Sequence, residues 1–124
     1  MKLLSIVFSF RNEEKNLPEL IERTTKVLSY FKNWNYELIF VNDASSDQSE
    51  KILTSYQEKF PIKIINMSRN FGVGPCVIAG FKNSLGDAVI YMDSDLQDPP
   101  ELIKDLIEEH EKGFDIVHTV RTKR

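Results

Sequence analysis

Two aspartates separated by a single residue, Asp93 and Asp95, are the side chains of this sequence best placed for chemistry. They follow an apolar run, Val89-Ile90-Tyr91-Met92, and precede Leu96-Gln97-Asp98-Pro99-Pro100. Residues two apart on an extended chain point the same way, so both carboxylates can aim at one point beyond the end of that run. The Gln97 amide oxygen is within reach as a third donor. An all-oxygen set of this kind suits a hard divalent cation, Mg²⁺ or Mn²⁺, with positions left open for a phosphate. The spacing alone is weak, because Asp-x-Asp recurs by chance and often marks a solvated acidic turn before a helix. Its weight depends on the elements that carry it.

Those elements alternate regularly. Residues 3–10 form a near-continuous apolar run, as expected of a parallel strand covered on both faces. Asn16 is placed to cap a helix with Pro18 in its first turn, and Leu17, Leu20, Ile21, Thr24, Leu28 and Phe31 recur at helical spacing. Residues 36–41 read as a second strand, followed by the polar turn Asn42-Asp43-Ala44-Ser45-Ser46-Asp47. Asp47 or Ser49 then caps a helix carrying Ile52, Leu53 and Tyr56. Residues 62–67 are a third strand, 68–74 a loop, and 75–84 a helix holding Val77, Ile78 and Phe81. Gly86-Asp87 turns into a fourth strand over 88–92. Asp98-Pro99 opens a helix that buries Leu102, Ile103, Leu106 and Ile107 and stops at Gly113. Residues 114–120 are a fifth strand. Five strands and four helices in this order predict an open, mainly parallel α/β sheet with helices on both faces. In such sheets ligands bind beyond the carboxyl ends of the strands. Three polar clusters fall at such ends: residues 11–14, 42–47 and 93–98.

Composition narrows the class. The chain has 124 residues, 41% hydrophobic and 28% charged, with a formal net charge of −3. That suits one soluble domain with one proper core and gives no general attraction to nucleic acid. Its one cysteine, Cys76, has no partner for an internal disulfide and lies in a helical stretch, where it reads as a small buried hydrophobe. No apolar run approaches the ~20 residues of a membrane span. The apolar N-terminal stretch is cut short by Arg11-Asn12-Glu13-Glu14, too early for a signal peptide. A cytoplasmic location is the expectation.

The same alternation fits a phospho-acceptor receiver domain, but the third strand ends Asn66-Met67-Ser68, without the acid such a domain needs. A dinucleotide site is excluded too. The turn after the first strand has no glycine and two carboxylates, Glu13 and Glu14, which repel a pyrophosphate. A nucleotide-sugar site fits better, with Asp43 accepting from a base or ribose and Asp93 and Asp95 holding a cation on the diphosphate. Arg69 is a candidate phosphate contact, weighed evenly against a plain surface arginine. Gly72 and Gly74 lack the lysine and serine of a phosphate-binding loop and read as helix-entry residues. His110 and His118 have no ligand-spaced partners, and His110, late in a helix, reads as structural. Arg121, with Lys123 and Arg124, forms a basic patch suited to an anionic acceptor or, equally, a solvated tail.

Taken in order, these segments resemble a known family. Ser5-Ile6-Val7-Phe8-Ser9-Phe10-Arg11-Asn12-Glu13-Glu14 resembles the opening of family 2 glycosyltransferases, usually a strand followed by P-x-Y-N-E. Glu37-Leu38-Ile39-Phe40-Val41-Asn42-Asp43-Ala44-Ser45-Ser46-Asp47 resembles their V-D-D-G-S-x-D turn. Ser68-Arg69-Asn70-Phe71-Gly72, Ala79-Gly80-Phe81, Gly86-Asp87 and Met92-Asp93-Ser94-Asp95-Leu96-Gln97-Asp98-Pro99-Pro100 are similar to the dolichyl-phosphate mannose synthase and bactoprenol glucosyltransferase branch. The likeness covers essentially the whole chain. The ordered motifs in combination are far more specific than Asp-x-Asp. The chain departs from the pattern at Phe8 and Phe10 (usually Pro and Tyr), Asn42 (Asp), Ala44 (Gly) and Val73-Gly74 (commonly Lys-Glu).

The resemblance implies a GT-A, nucleotide-diphospho-sugar transferase fold and an inverting transfer from a UDP- or GDP-sugar to a polyprenyl phosphate. Carried over, Asp43 contacts the nucleoside, Asp93, Asp95 and Gln97 hold the Mg²⁺ or Mn²⁺ and the diphosphate, and Arg121 meets acceptor or donor phosphates. Members of this branch run longer and often carry amphipathic or membrane-spanning helices. The chain is therefore expected to be the N-terminal, donor-binding part of a membrane-associated parent, inactive in transfer by itself. A saccharide hydroxyl acceptor, a non-catalytic nucleotide-binding remnant and a homo-oligomerising fragment with an exposed sheet edge are the alternatives.

Overall fold

The structure, a computed structural model, describes residues 1–97 and 99–112. Eight elements alternate along it: β1 (Lys2–Phe10), α1 (Leu17–Leu28), β2 (Trp34–Asn42), α2 (Ser49–Tyr56), β3 (Ile62–Asn66), α3 (Val73–Lys82), β4 (Ala88–Asp93) and α4 (Leu102–Glu111). The expected fifth strand, the Gly113 stop, His118 and Arg121 lie outside the described residues. The four described strands are all parallel, in the order β3-β2-β1-β4. The chain thus moves outward from β1 to β3, then returns past β1 to lay down β4 on its other side. That reversal separates the loops after β1 and β4 and opens a crevice between them, at the switch point where open α/β sheets bind ligands.

Strand alternation sorts the core into two layers. On one face Leu4, Ile6, Phe8 and Phe10 of β1 join Leu38 and Phe40 of β2, Ile90 and Met92 of β4, and the apolar faces of α1, α2 and α4. Phe8 stacks on Phe40 with ring centroids 4.8 Å apart. On the other face Val7, Ile39 and Val41 pack with Cys76 of α3. Helices therefore cover both faces, as the near-continuous apolar strands require. Cys76 is fully buried, as its sequence context predicts.

The helix ends differ from the sequence expectation in instructive ways. α3 starts at Val73, two residues early, and packs through Cys76 and Gly80. Ile78 and Phe81, expected to mark its packing face, are exposed. A Cβ on Gly80 would collide with Val7 Cγ1, so the missing side chain is what lets α3 lie close on β1. α4 starts at Leu102 rather than at Pro99, because a residue before proline is driven out of helical geometry and Pro99 precedes Pro100. A turn fills the gap, with the Pro99 and Pro100 carbonyls accepting from Leu102 and Ile103. Asn16 and Gln48 occupy the N-cap positions of α1 and α2 without side-chain caps. Asp47 instead accepts the Ser49 N–H from just outside α2. No helix among the described residues is long and apolar enough to cross a membrane.

Candidate functional site

A cleft of about 400 Å³ lies at the switch point, lined by Ser9, Phe10, Arg11, Glu13, Asp43, Val73, Cys76, Asp93, Ser94 and Asp95. It gathers the ends of β1, β2 and β4 and the start of α3 in one place. The loops that build it are stitched together by side chains. Asn12 Oδ1 accepts the N–H groups of Ser46 (2.8 Å) and Asp47 (3.2 Å). The Asn12 N–H donates to Ser45 Oγ, and the Glu13 N–H to Ser49 Oγ. Asn42, which stands where the family pattern has Asp, accepts the Ser45 N–H at 2.9 Å and donates its amide to Asn66 Oδ1 at 3.0 Å.

Backbone strain is concentrated at this end of the sheet. Asn12 (φ 55°), Ala44 (φ 60°) and Leu96 (φ 65°) take left-handed conformations, one in each of the loops after β1, β2 and β4. Such a conformation costs a residue with a side chain ~1–2 kcal/mol, which the packed sheet and the loop-to-loop hydrogen bonds offset. Ala44 occupies the glycine position of the V-D-D-G-S-x-D pattern, and its positive φ is the physical reason a glycine suits it.

The predicted site residues divide by location. Asp43 lines the cleft but is only 7% exposed. Both its oxygens are engaged: Oδ1 accepts the Phe71 N–H at 2.7 Å and Oδ2 the Gly72 N–H at 2.9 Å, just ahead of α3. It therefore fastens the 68–72 loop to the end of β2. Asp93 is the last residue of β4 and lines the cleft, with Oδ1 accepting from the Tyr91 hydroxyl at 3.0 Å. Asp95 is exposed, lines the same cleft, and takes its own Gln97 N–H on Oδ1 at 3.1 Å. Gln97 is exposed beside it and is not part of the lining. Arg69 is exposed with its guanidinium 4.7 Å from the centre of the Phe71 ring, outside the lining. Arg121 lies outside the described residues. His110 stacks edge-on against Trp34 at 5.8 Å, at the far end of the sheet, in keeping with a structural role.

Ser9, Arg11, Glu13 and Ser94 line the cleft without an individual role from the sequence, beside Cys76, and Tyr91 stands just behind it, bonded to Asp93. Burial raises the Glu13 carboxyl above its ordinary 4.5, and the charges of Asp95 and Asp47 push the same way against a hydrogen bond from Asn16. Burial and the neighbouring Asp43 carboxylate push the Cys76 thiol up to about 11, so it stays protonated and inert. Burial, with the Asp93 charge adding to it, pushes the Tyr91 phenol up to about 12 despite a hydrogen bond with Ser9. Tyr91 was legible in principle, since it sits two residues before Asp93 on the same strand face. Arg11 and Glu13 fall in the 11–14 cluster expected at a strand end, but nothing in the linear sequence says that β1 and β4 are neighbours and so bring them to Asp93 and Asp95.

The lining is acidic. Glu13, Asp43, Asp93 and Asp95 set four carboxylates against one guanidinium, Arg11, a formal charge of −3 among the described lining residues. Two like charges 4 Å apart repel by about 4 kcal/mol at an effective dielectric near 20. A lining of this charge attracts cations and repels a bare anion. Asp93, Asp95 and Gln97 offer oxygen donors alone, which is the donor chemistry of Mg²⁺ or Mn²⁺. No three acidic, histidine or cysteine side chains converge among the described residues. A cation that shares its coordination with phosphates and water needs only one or two carboxylates.

Comparison with known proteins adds to this geometry. The profile of the family described as glycosyl transferase family 2 matches residues 5–124. An uncharacterized glycosyltransferase of Synechocystis is 47% identical over 98% of this chain and 38% of its own length. The undecaprenyl-phosphate 4-deoxy-4-formamido-L-arabinose transferase of Pectobacterium carotovorum is 44% identical over the whole of this chain and 38% of its own length. The chain thus spans little more than a third of these relatives. Among solved structures, S. aureus TarS 1–349 in complex with UDP superposes with a TM-score of 0.70, at 28% identity over 90% of this chain and 33% of that one. The mannosyltransferase PcManGT of Pyrobaculum calidifontis, in complex with GDP-Man and Mn²⁺, gives 0.72 over 85% of this chain and 31% of that one. At 15% identity it shares the fold alone.

Proposed function

The chain belongs to glycosyl transferase family 2, and from that premise we propose that it is the donor-binding part of an enzyme that moves a sugar from a UDP- or GDP-sugar to a polyprenyl phosphate, with inversion. Its fold is the GT-A type, of which the described residues contribute four parallel strands flanked by helices. The observation that carries the proposal is the acidic cleft at the switch point, with Asp93 and Asp95 at its β4 side. A nucleotide diphosphate is the kind of ligand that reconciles an acidic lining with a cation. The undecaprenyl-phosphate transferase among the relatives supports the lipid acceptor, and the UDP complex of TarS supports a uridine donor.

In this reading Asp93, Asp95 and Gln97 hold Mg²⁺ or Mn²⁺ against the diphosphate. When bound, the cation offsets the charge that grows on the departing nucleotide. The residues of the chain do the rest by position. Asp43 keeps the 68–72 loop and the start of α3 against the cleft, where the nucleoside is to lie. Arg11, on the β1 side of the cleft, faces the same space as the two aspartates and supplies the one guanidinium among the described lining residues. A polyprenyl phosphate is already anionic near neutral pH, so attack on the anomeric carbon needs no strong base. It needs positive charge to steer it, the role assigned to Arg121. A saccharide hydroxyl acceptor is the second reading, favoured by Glu13: a cleft carboxyl with a raised pKa is suited to accept a proton. Arg69 remains a candidate contact to the donor phosphates from the loop that Asp43 fastens.

Calorimetry with UDP- and GDP-sugars in Mn²⁺ and in EDTA tests the proposal. Affinity at least about tenfold higher with Mn²⁺, abolished by Asp95→Ala, is expected of a site in which Asp93 and Asp95 would hold a cation that offsets the diphosphate charge. Equal affinity in both buffers contradicts it. The 124-residue chain by itself is expected to show little transfer to a short polyprenyl phosphate. Clear product formation in that assay refutes the assignment of the chain as a donor-binding part alone.

A further inference from the structure

Asp93 and Asp95 are both held in place, but by different means. Asp95 is steadied by its own turn, through the Gln97 N–H. Asp93 is held from its own strand. The Tyr91 hydroxyl donates to Asp93 Oδ1 at 3.0 Å and lies 2.7 Å from Ser9 Oγ. The direction of the protons in this chain follows by elimination. An ionised carboxylate only accepts, so Tyr91 must give its single proton to Asp93. Ser9 must then give its own proton to Tyr91.

Ser9 is also the residue opposite Asp93 across the β1–β4 ladder. Its carbonyl accepts from Ser94 Oγ at 2.8 Å. One β1 residue thus grips the neighbours of Asp93 on both sides, Tyr91 through its hydroxyl and Ser94 through its backbone. The Tyr91 ring packs on the Val7, Ile39, Val41 and Cys76 cluster beneath α3, which fixes where its hydroxyl points. A carboxylate at a strand end has a broad terminal torsion, so a bond from a packed phenol narrows its orientation.

We propose that Tyr91, steered by Ser9, is the positioning residue that presents the Asp93 carboxylate to the cation. The inference rests on the preceding assignment of Asp93 as a cation ligand. Hydrogen-bond partners behind a liganding group typically contribute about 10–100-fold to metal affinity. Tyr91→Phe removes the hydroxyl and leaves the ring packing.

The test titrates Mn²⁺ into the 124-residue chain in the presence of UDP or GDP, by calorimetry, with the electron paramagnetic resonance spectrum of bound Mn²⁺ recorded alongside. Tyr91→Phe is expected to weaken Mn²⁺ binding by about 10–100-fold and to change that spectrum, with little change in melting temperature. Ser9→Ala removes only the donor to Tyr91 and is expected to give a smaller loss, recovered in Ser9→Thr. Should Tyr91→Phe fail to fold, the Ser9 pair decides alone. Wild-type Mn²⁺ affinity in the folded variants overturns the inference and leaves the assignment of Asp93 standing. No Mn²⁺ binding by the wild-type chain overturns both.

Discussion

Asp43 offers a quantitative test of how the cleft is assembled. Its carboxylate is buried, with one oxygen on the Phe71 N–H at 2.7 Å and the other on the Gly72 N–H at 2.9 Å. Asp43→Asn keeps the shape and removes the charge. Only one amide oxygen remains to accept, and the amide NH₂ is left facing a backbone N–H that is itself a donor. One hydrogen bond to a charged group, about 1.5–3 kcal/mol, is lost, and the other falls to a neutral bond of about 1 kcal/mol. Together these come to about 3 kcal/mol. Unfolding a chain of 124 residues carries an entropy of roughly 0.26 kcal/mol/K, so the melting midpoint is expected to fall by about 12 °C. Amide hydrogen exchange reads the same contact locally, with Phe71 and Gly72 of the loop losing protection before the sheet does. A midpoint within about 2 °C of wild type, with unchanged exchange at those two amides, refutes the role of Asp43 as the loop's anchor.

Two further predictions concern the scaffold. Gly80→Val places a branched side chain where even a Cβ collides with fully buried Val7, and a loss of about 2–3 kcal/mol is expected from urea denaturation. Glu37, buried at the opposite end of the sheet, accepts from Ser5 Oγ at 2.6 Å and the Leu85 N–H at 2.8 Å and pairs with Lys63 at 2.9 Å. Burial alone raises its pKa, but Lys63, Ser5 and the Leu85 N–H outweigh burial and hold it below its ordinary 4.5. The unfolded chain then binds the proton first as pH falls, so the stability Glu37 contributes is present above that ordinary value and is lost as pH drops through the folded one. Acid titration of wild type and Glu37→Gln is expected to show that part of the pH dependence missing in the variant.

Much of the fold was legible because parallel strands buried on both faces announce themselves as apolar runs, and because helices with one apolar stripe, such as that of Leu17, Leu20, Ile21 and Leu28, cannot be mistaken for strands. α3 was read less well. Its apolar residues are spread around the helix, and its buried contact runs through Gly80 and Cys76, small residues that carry little hydrophobic signal. The start of α4 was misplaced because Asp98-Pro99 looks like a capped helix start until the second proline is counted. At the site, the motifs placed Asp43, Asp93 and Asp95 on one cleft. They said nothing of the Ser9–Tyr91 hydrogen bond, which crosses between adjacent strands β1 and β4 and joins residues 82 apart in sequence. Nor did they show that both oxygens of Asp43 hold backbone amides, since that depends on where the 68–72 loop returns.

In the proposed site the acids at the end of β4 share a divalent cation with a nucleotide diphosphate. Crystals of the chain grown with UDP and Mn²⁺, measured at the manganese absorption edge, test it most directly. An anomalous peak between the side chains of Asp93 and Asp95, in contact with the diphosphate oxygens, is expected. Nucleotide bound in the cleft with no manganese at those carboxylates contradicts it.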